Sequence, residues 1–249
     1  MNESEYKLFY NRIGKINGWD FSQVKCISEG PHLNFSDEVI KECKKSDLVL
    51  DIGTGGGESI LPVADSITLL AGIDRSEEMV IAATENGRQL GHTNARFLQM
   101  DAEKLEFPAD FFDVITCRHS AFSPREVARV LTKDGIFITQ QVSENDKFNL
   151  KEAFGRGQAW GIEAGSLKQQ YLAELRAAGF TDIQLFDFNN KEFYQTAEDL
   201  IFLLTHTPII PSFGESEHDY RILYSFISKY QTPKGIETNS ARFVIKARL

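Results

Sequence analysis

A carboxylate followed by glycines at alternate positions is the most chemically specific feature of the sequence. Asp51 stands two residues before Gly53, and Gly55 and Gly57 follow. A strand that ends at such a turn is how α/β sheets hold adenine-containing cofactors. Asp51 would repel a pyrophosphate on the turn, and Glu58 occupies the position of the third glycine in a dinucleotide-binding fingerprint. The pattern favours an adenosine ligand that carries positive charge and no phosphate.

S-adenosylmethionine is such a ligand, because it has an adenosine, a sulfonium and an amino-acid end with an ammonium. The segment 51–57 also resembles the first motif, D/E-x-G-x-G-x-G, of the class I S-adenosylmethionine-dependent methyltransferases, in particular those with type 11-like domains. Similar motifs follow in order up to about residue 142, at Asp74, at Asp101–Ala102, at 112–115 and at 130–137. The resemblance implies a Rossmann-like fold, S-adenosylmethionine as the cofactor and methyl transfer as the activity.

The same resemblance implies which side chains contact the cofactor. Asp74 would accept hydrogen bonds from the two ribose hydroxyls, since a carboxylate has two acceptor oxygens. Asp101 would accept from the adenine amino group, and the N–H of Ala102 would reach a ring nitrogen. The expected cofactor contacts are Asp51, Gly53, Thr54, Gly55, Gly57, Asp74, Arg75, Met79, Asp101, Ala102 and Arg118.

Residues after the fourth predicted strand are candidates for the methyl-acceptor site. His119 is either a catalytic base or a structural histidine. Arg118, besides a cofactor contact, either orients an anionic substrate or pairs with a neighbouring acid. Trp19 lies over the ligand or packs the N-terminal helix onto the domain. The candidate substrate-binding residues are Trp19, Phe122, Trp160, Phe202 and Phe213.

The elements that must position these residues alternate along the chain. Short apolar or β-branched runs predict strands at 48–52, 68–74, 95–100, 112–117 and 135–142, and two more at 181–188 and 241–249. Predicted helices have Ser76, Ser123 and Ser166 as N-caps and end near Gly91, Thr132 and Gly179. For Ser123 we expect a capping box with Glu126. This alternation predicts an α/β fold with a doubly wound, mostly parallel sheet.

A strongly apolar insertion, about 195–230, separates the last two predicted strands. Thr196 is its expected N-cap, with Asp199 at the third helical position, and residues 200–204 are almost wholly apolar. We interpret the insertion as a helical cap that closes a water-excluding acceptor site. The alternative is a helical pair that only seals the edge of the sheet.

Composition limits the remaining possibilities. The 249 residues fit a single domain, which we divide into an N-terminal helical extension (1–45), a cofactor-binding core (46–142) and a C-terminal part (143–249). The net charge of −9 disfavours broad nucleic-acid binding. The three cysteines lack metal-ligand spacing, so we expect reduced thiols and no metal. No segment is long and apolar enough to span a membrane, which predicts a cytoplasmic protein.

The leading hypothesis is a methyltransferase acting on a small molecule by in-line displacement. A methyltransferase acting on RNA or protein would need a basic surface at the sheet edge. A regulatory protein that binds the cofactor without turnover is the third possibility. An NAD-dependent oxidoreductase is disfavoured by Asp51 and Glu58.

Overall fold

The structure, a computed structural model, describes residues 21, 23–31 and 33–249. Its strands are β1 (Cys26–Glu29), β2 (Leu48–Ile52), β3 (Leu69–Asp74), β4 (Ala95–Gln99), β5 (Phe112–Arg118), β6 (Leu131–Val142), β7 (Asp182–Tyr194), β8 (Gln231–Thr232) and β9 (Gly235–Arg248). Its α-helices are α1 (Phe35–Glu42), α2 (Glu77–Gln89), α3 (Pro124–Val130), α4 (Phe148–Phe154), α5 (Ser166–Ala177), α6 (Ala197–His206) and α7 (Glu217–Tyr230). A 3₁₀ helix spans Leu61–Ser66.

All these strands form one sheet, in the order β1-β7-β9-β6-β5-β2-β3-β4, with β8 paired to β9. The adjacent strands β4, β3, β2, β5 and β6 are parallel to one another. Strand β9 is antiparallel to both β6 and β7. After β2 the chain places β3 and β4 on one side of it, and then β5 and β6 on the other side, so the strand order reverses between β2 and β5. Ligands of open α/β sheets bind at the carboxyl ends of the strands beside such a reversal. The predicted α/β fold with a mostly parallel sheet is confirmed.

Apolar side chains cover both faces of the sheet, as expected when helices flank it on both sides. Leu50, Ile115 and Phe137 lie on one face, in a core completed by α3 and α5. Val49 and Ile138 lie on the other face, with α1 and the 3₁₀ helix. The parallel strands therefore form a rigid support for the turns at their carboxyl ends.

The two C-terminal strands are longer than predicted. β6 ends where Val142 pairs with Arg242, but β7 and β9 continue together as far as the pair Tyr194 and Ile236. The strand predicted at 181–188 continues through polar residues such as Asn190 and Lys191, because its backbone pairs with β9 on one side and, from Lys191 onward, with β1 on the other. Helices α4, α6 and α7 form a separate apolar core against this projecting end.

Four helix starts were predicted from local sequence; those at Ser76, Ser123 and Thr196 are in the predicted positions, and the side-chain caps of Ser76 and Thr196 form. Ser76 accepts a hydrogen bond from the N–H of Met79, and Thr196 forms a capping box with Asp199. The predicted capping box of Ser123 is wrong, because the carboxylate of Glu126 instead accepts from the N–H of Leu105 and pairs with Arg129.

The fourth start, at Ser166, was predicted one residue too late. Ser166 is the first helical residue of α5 rather than its cap, and Gly165 precedes it without a side-chain hydrogen bond. The carboxylate of Glu144, from the loop after β6, accepts from the N–H groups of Leu167 at 2.5 Å and Gly165 at 3.2 Å. A distant residue therefore satisfies the free N–H groups at this helix start.

The proposed N-terminal extension, 1–45, is only partly within the described residues. Its described part contains α1 and also β1, so it is not wholly helical as we predicted. β1 pairs antiparallel with β7, because an edge strand offers unpaired backbone groups.

Candidate functional site

The glycine-rich turn connects β2 to the 3₁₀ helix and is fixed against two neighbouring strands. Gly53, Gly55 and Gly57 have φ angles of 70°, 56° and 82°, a region that favours glycine. The N–H groups of Gly53 and Thr54 both donate to the carbonyl of Ile73 in β3, each at 2.9 Å. A Cβ on Gly53 would lie 2.3 Å from the side chain of Ser120, at the end of β5.

Asp51 lies in β2 immediately before this turn, and its side chain is buried. The hydroxyl of Thr116 donates to its Oδ1 at 2.6 Å. Burial raises the pKa of Asp51 to about 6, although the hydrogen bond from Thr116 and the nearby Arg118 act in the opposite direction. A buried carboxylate that is costly to ionise gains from a cationic ligand group.

Asp74 ends β3 on the other side of the turn. One of its oxygens accepts from the N–H of Gly55 at 3.0 Å, and the other accepts from Ser76 at 2.9 Å. Burial raises its pKa despite these donors. Because each carboxylate oxygen has a second lone pair, Asp74 can fix the turn and still accept hydrogen bonds from a ligand.

The other expected cofactor residues lie near the ends of β3 and β4. Arg75 and Asp101 are exposed and form an ion pair at 3.5 Å. Asp101 also accepts from the N–H of Glu103 at 2.9 Å. Met79 is buried in the first turn of α2, and Ala102 packs against the core. The sheet order thus collects the acids and the glycine turn at the carboxyl ends of β2, β3 and β4.

Arg118 lies at the carboxyl end of β5. Its Nη1 donates to the hydroxyl of Ser59 at 2.7 Å, and its Nε is shielded from solvent without a hydrogen-bond partner. Burial and the neighbouring Arg242 lower its pKa, while Asp51 raises it. Among the described residues no acid lies within ion-pair distance of Arg118, although the charge of Asp51 acts on its pKa.

His119 follows with a φ of 55°, a strained conformation for a histidine. Its N–H donates to the carbonyl of Gln140 at 2.8 Å, and its Nε2 is shielded without a partner. Burial, Arg118 and Arg242 hold its pKa well below the usual value. The imidazole is therefore neutral at pH 7 and is a weak base for removing a proton from an acceptor.

The predicted substrate aromatics fall in different parts of the fold. Phe122 is buried in the core and stacks on Tyr171, with ring centroids 5.2 Å apart. Trp160 is 38% exposed. Phe202 stacks on the ring of His206 in α6, and Phe213 is buried among the cap aromatics. Trp19 lies outside the described residues.

Several residues around the site carried no local sequence signal. Thr116 and Gln140 are strand residues in the sequence pattern, and only the register shows Arg118 opposite Gln140 in the sheet. Ser59 and Ser120 lie in turns, far along the chain from their partners. Pairing between distant strands brings these polar groups to one edge.

Two cavities lie on the C-terminal side of the molecule. An open groove of about 640 Å³ runs between α4 and α7, and it is lined by residues such as Glu152, Arg221 and Lys229. A small cavity of about 40 Å³ lies beyond β6 and is lined by residues that include Asp146, Lys151 and Ile209. None of the predicted site residues is among the lining residues of either cavity.

Other features of the described residues bear on ligand classes. Among the residues that the structure describes, no three His, Cys, Asp or Glu side chains are grouped so that they could hold a metal ion. Cys26, Cys43 and Cys117 are free thiols. None of the helices in the described ranges has both the length and the apolar character to cross a membrane.

Comparison with known proteins agrees with the arrangement at this sheet edge. The family model described as a methyltransferase domain matches residues 43–198. The uncharacterized methyltransferase YcgJ of Bacillus subtilis is 41% identical over 125 residues, which cover 47% of this chain and 49% of YcgJ. The crystal structure of YcgJ aligns over 86% of this chain and 97% of its own, with a TM-score of 0.58 and 24% identity.

Two further relatives match shorter stretches. The phosphatidylethanolamine N-methyltransferase of Cereibacter sphaeroides is 33% identical over 116 residues, which cover 46% of this chain and 55% of that protein. The aklanonic acid methyltransferase DauC of Streptomyces sp. (strain C5) is 33% identical over 84 residues, covering 32% and 38%. The chain thus spans about half the length, or less, of these curated relatives.

The family model covers more than half of the chain, including the glycine turn and both flanking acids. The strand order, the positive φ angles of the turn and the positions of Asp51 and Asp74 agree with that match. The chain belongs to the class I S-adenosylmethionine-dependent methyltransferases.

Proposed function

We propose that the protein transfers the methyl group of S-adenosylmethionine to a small molecule. The observation that carries the proposal is the pair of carboxylates, Asp51 and Asp74, on either side of one glycine turn. The residues proposed to hold the cofactor are Asp51, Gly53, Thr54, Gly55, Gly57, Asp74, Arg75, Met79, Asp101 and Ala102.

The two carboxylates suit different ends of the cofactor. Asp51 is buried and next to the turn, so it would attract the ammonium of the amino-acid end. Asp74 retains lone pairs for the two ribose hydroxyls, which are neutral donors. Asp101 and the N–H of Ala102 would contact the adenine. The donor set therefore fits a ligand that is cationic at one end and neutral at the other.

The cofactor supplies a methyl group on a positively charged sulfur, which is an excellent leaving group. In an in-line displacement the acceptor forms a new bond to the methyl carbon, and the electron pair of the broken bond stays on sulfur. A hydroxyl or protonated amine acceptor must also lose a proton. The protein then mainly has to align the acceptor and exclude water.

The acceptor site is proposed at the carboxyl ends of β5 and β6, beneath the α6–α7 cap. Trp160, Phe202 and Phe213 would give it apolar walls, while His119 would contact the acceptor by a hydrogen bond. Phe122 supports the wall from within the core. A closed, partly aromatic site suits a metabolite better than a polymer.

Two relatives support a small acceptor, because their names specify phosphatidylethanolamine and aklanonic acid. The acidic composition of the chain, with a net charge of −9, points away from RNA as well.

A labelled-methyl screen tests this function. The protein is incubated with methyl-labelled S-adenosylmethionine and either a metabolite extract or total RNA. We expect label in the metabolite fraction and none in RNA. Label in RNA alone would replace the small-molecule proposal with the RNA alternative. Cofactor binding without label in any pool, including a protein lysate, would indicate a binding protein without turnover.

A further inference from the structure

Buried and half-buried charged side chains collect where β6, β7 and β9 reach the acceptor edge, and Arg118, Arg242 and Glu192 are the half-buried ones. The cations are Arg118, Lys147, Lys151 and Arg242, and the acids are Glu144, Asp146 and Glu192. Asp51 is not counted here, because it is proposed to face the ammonium of the cofactor. The cations exceed the acids by one, in a part of the protein where an unpaired charge is expensive.

Each acid of this group already has a partner. Glu192 pairs with Lys147 at 2.6 Å and also accepts from the hydroxyl of Tyr194 at 2.9 Å. Asp146 pairs with Arg242. Glu144 accepts from backbone N–H groups at the start of α5.

Two cations remain without an acid. The ammonium of Lys151 donates to the carbonyls of Glu144 and Gln158, at 2.6 and 3.0 Å. Arg118 has one neutral partner, the hydroxyl of Ser59. Within the described chain, Arg118 is thus the cation of this group with the most unused hydrogen-bonding capacity.

The sheet register places Arg118 toward the expected ligand. Thr116 pairs with Asp51 in the register, and Arg118 lies two residues further along β5, so both side chains are on the same face as Asp51. Gln140 is the neighbour of Arg118 in β6, and Arg242 in β9 lies on the same face. Arg118 is therefore next to the proposed cofactor site, one strand away from Asp51.

Unpaired polar atoms accompany the guanidinium. The Nε of Arg118, the Nε2 of His119 and the Oε1 of Gln140 are all shielded from solvent, and none has a hydrogen-bond partner among the residues that the structure describes. Buried polar groups in folded proteins are nearly always paired, so atoms of this kind at one strand edge indicate a missing ligand group. Two of them can donate: the Nε–H of Arg118 and a protonated Nε2 of neutral His119.

We propose that the methyl acceptor carries a carboxylate, and that Arg118 and His119 bind this group and thereby orient the acceptor. The proposal rests on the function proposed above and narrows its substrate to carboxylic acids. A planar carboxylate matches the fork of an arginine and accepts from a second donor beside it. Its charge also balances the excess cation at this edge.

The carboxylate site can be tested without knowing the acceptor. In ¹⁵N-labelled protein saturated with S-adenosylhomocysteine, the Nε–H resonance of Arg118 is identified by its loss in Arg118→Gln. Acetate is then titrated at constant ionic strength, with acetamide as the neutral probe of the same shape. We expect a saturable shift with acetate, no shift with acetamide, and the same acetate response in the control Arg221→Gln on α7.

A resonance that ignores acetate, or that moves equally with acetamide, would overturn the carboxylate site. The titration is made on the wild-type protein, and the folded Arg118→Gln variant is needed only to assign the resonance. It is repeated without S-adenosylhomocysteine, so that failure of cofactor binding remains distinguishable from failure of the carboxylate site.

A second experiment tests the acceptor class. Metabolite extract is separated on an anion exchanger, and each fraction is offered with methyl-labelled cofactor. We expect label in the retained fraction, and Arg118→Gln should raise the KM for that fraction by about tenfold or more, a larger loss than any change in the affinity for S-adenosylmethionine measured by calorimetry on the same variant. Label confined to the unretained fraction would refute an anionic acceptor. If no fraction accepts label, the proposed function fails, and the acetate titration still decides the carboxylate site.

Discussion

At the scale of single residues, Asp51 is the most informative. Its proposed role requires a negative charge, whereas its burial disfavours the charged form. A raised pKa means that the protonated form stabilises the fold. That contribution is fully present below the ordinary value of 3.8 and is lost as the pH rises through about 6. At neutral pH the protein without ligand therefore carries a costly carboxylate, and a cationic ligand would relieve that cost.

Asp51→Asn should consequently stabilise the ligand-free protein while impairing cofactor binding. Well above pH 6 we expect the free energy of unfolding to rise by at most about 3 kcal/mol, the equivalent of a pKa raised by roughly two units. The gain should vanish below pH 4, where the wild-type carboxyl is protonated. Urea unfolding across this pH range checks it, and a variant less stable than wild type at neutral pH would contradict it.

The same residue predicts a pH dependence of binding. The affinity of the wild-type protein for S-adenosylmethionine should fall as the pH drops through about 6, because protonated Asp51 no longer attracts the ammonium. Asp51→Asn should show weak binding without this inflection. Calorimetric titration over pH provides the comparison, and an inflection that persists in the variant would assign it to another group.

Gly53 tests the geometry of the turn. Its φ is 70°, and an added Cβ would lie 2.3 Å from the side chain of Ser120. Gly53→Ala should lower the free energy of unfolding by more than about 2 kcal/mol, from backbone strain and steric overlap together. Adding Ser120→Gly should recover the part due to overlap.

Gly91 offers a matched control for this prediction. Its φ is 78°, and no atom lies within 4 Å of an added Cβ. Gly91→Ala should therefore cost only the strain, about 1–2 kcal/mol. Chemical denaturation of these three variants separates the two effects. Equal losses in Gly53→Ala and Gly91→Ala would mean that the turn does not lie against Ser120.

At the scale of elements, α5 depends on a cap from a distant loop. Glu144→Ala should cost about 1–2 kcal/mol, as the loss of an N-cap does, while Glu144→Gln should cost less because one acceptor oxygen remains. The exposed Glu152→Ala is the control and should cost little. Urea unfolding measures all three, and equal stability of the Glu144 variants and the control would refute the cap.

The charge of Glu144 adds a pH dependence to this cap. Burial alone would raise its pKa, but the N–H groups of Leu167 and Gly165 outweigh that effect and lower it. Stability from Glu144 is thus present above the ordinary value of 4.5 and is lost as the pH falls through the lower folded value. The difference between wild type and Glu144→Ala should shrink in acid.

The elements also show how far the sequence could predict the structure. The glycine turn, its flanking acids and the caps at Ser76 and Thr196 were predictable, because each depends on residues close together in the chain. The capping box at Ser123 and the cap at Ser166 were predicted wrongly because Glu126 and Glu144 make contacts across the fold. Arg118 lies opposite the neutral Gln140 because of the pairing register of β5 and β6, and the register of two strands cannot be predicted from composition.

At the scale of the whole molecule, we propose that the α6–α7 insertion caps the acceptor site and sets acceptor specificity. Phe213 is buried among the cap aromatics, and Phe202 stacks on His206. Phe202→Ala and Phe213→Ala should reduce acceptor turnover while the affinity for S-adenosylmethionine is nearly unchanged. Tyr224→Ala, at a side chain that is 56% exposed on α7, is the control and should alter neither.

Two outcomes would count against the cap. Unchanged turnover in both phenylalanine variants would reduce the insertion to a seal on the sheet edge. A parallel loss of cofactor affinity would show that the helices support the cofactor site. Because Phe213→Ala removes a buried ring and is expected to cost about 3–5 kcal/mol, kinetics are measured only on protein that unfolds cooperatively.

The proposed function requires S-adenosylmethionine to bind between Asp51 and Asp74. The most direct measurement is a calorimetric titration of the wild-type protein and Asp74→Asn with S-adenosylmethionine, with NAD as the competing cofactor. We predict saturable binding of S-adenosylmethionine to the wild-type protein and none of NAD. Asp74→Asn should bind more weakly by about 1.5–3 kcal/mol, the value of a lost hydrogen bond to a charged group. Absence of saturable binding, or equal affinity in the variant, would contradict the central claim.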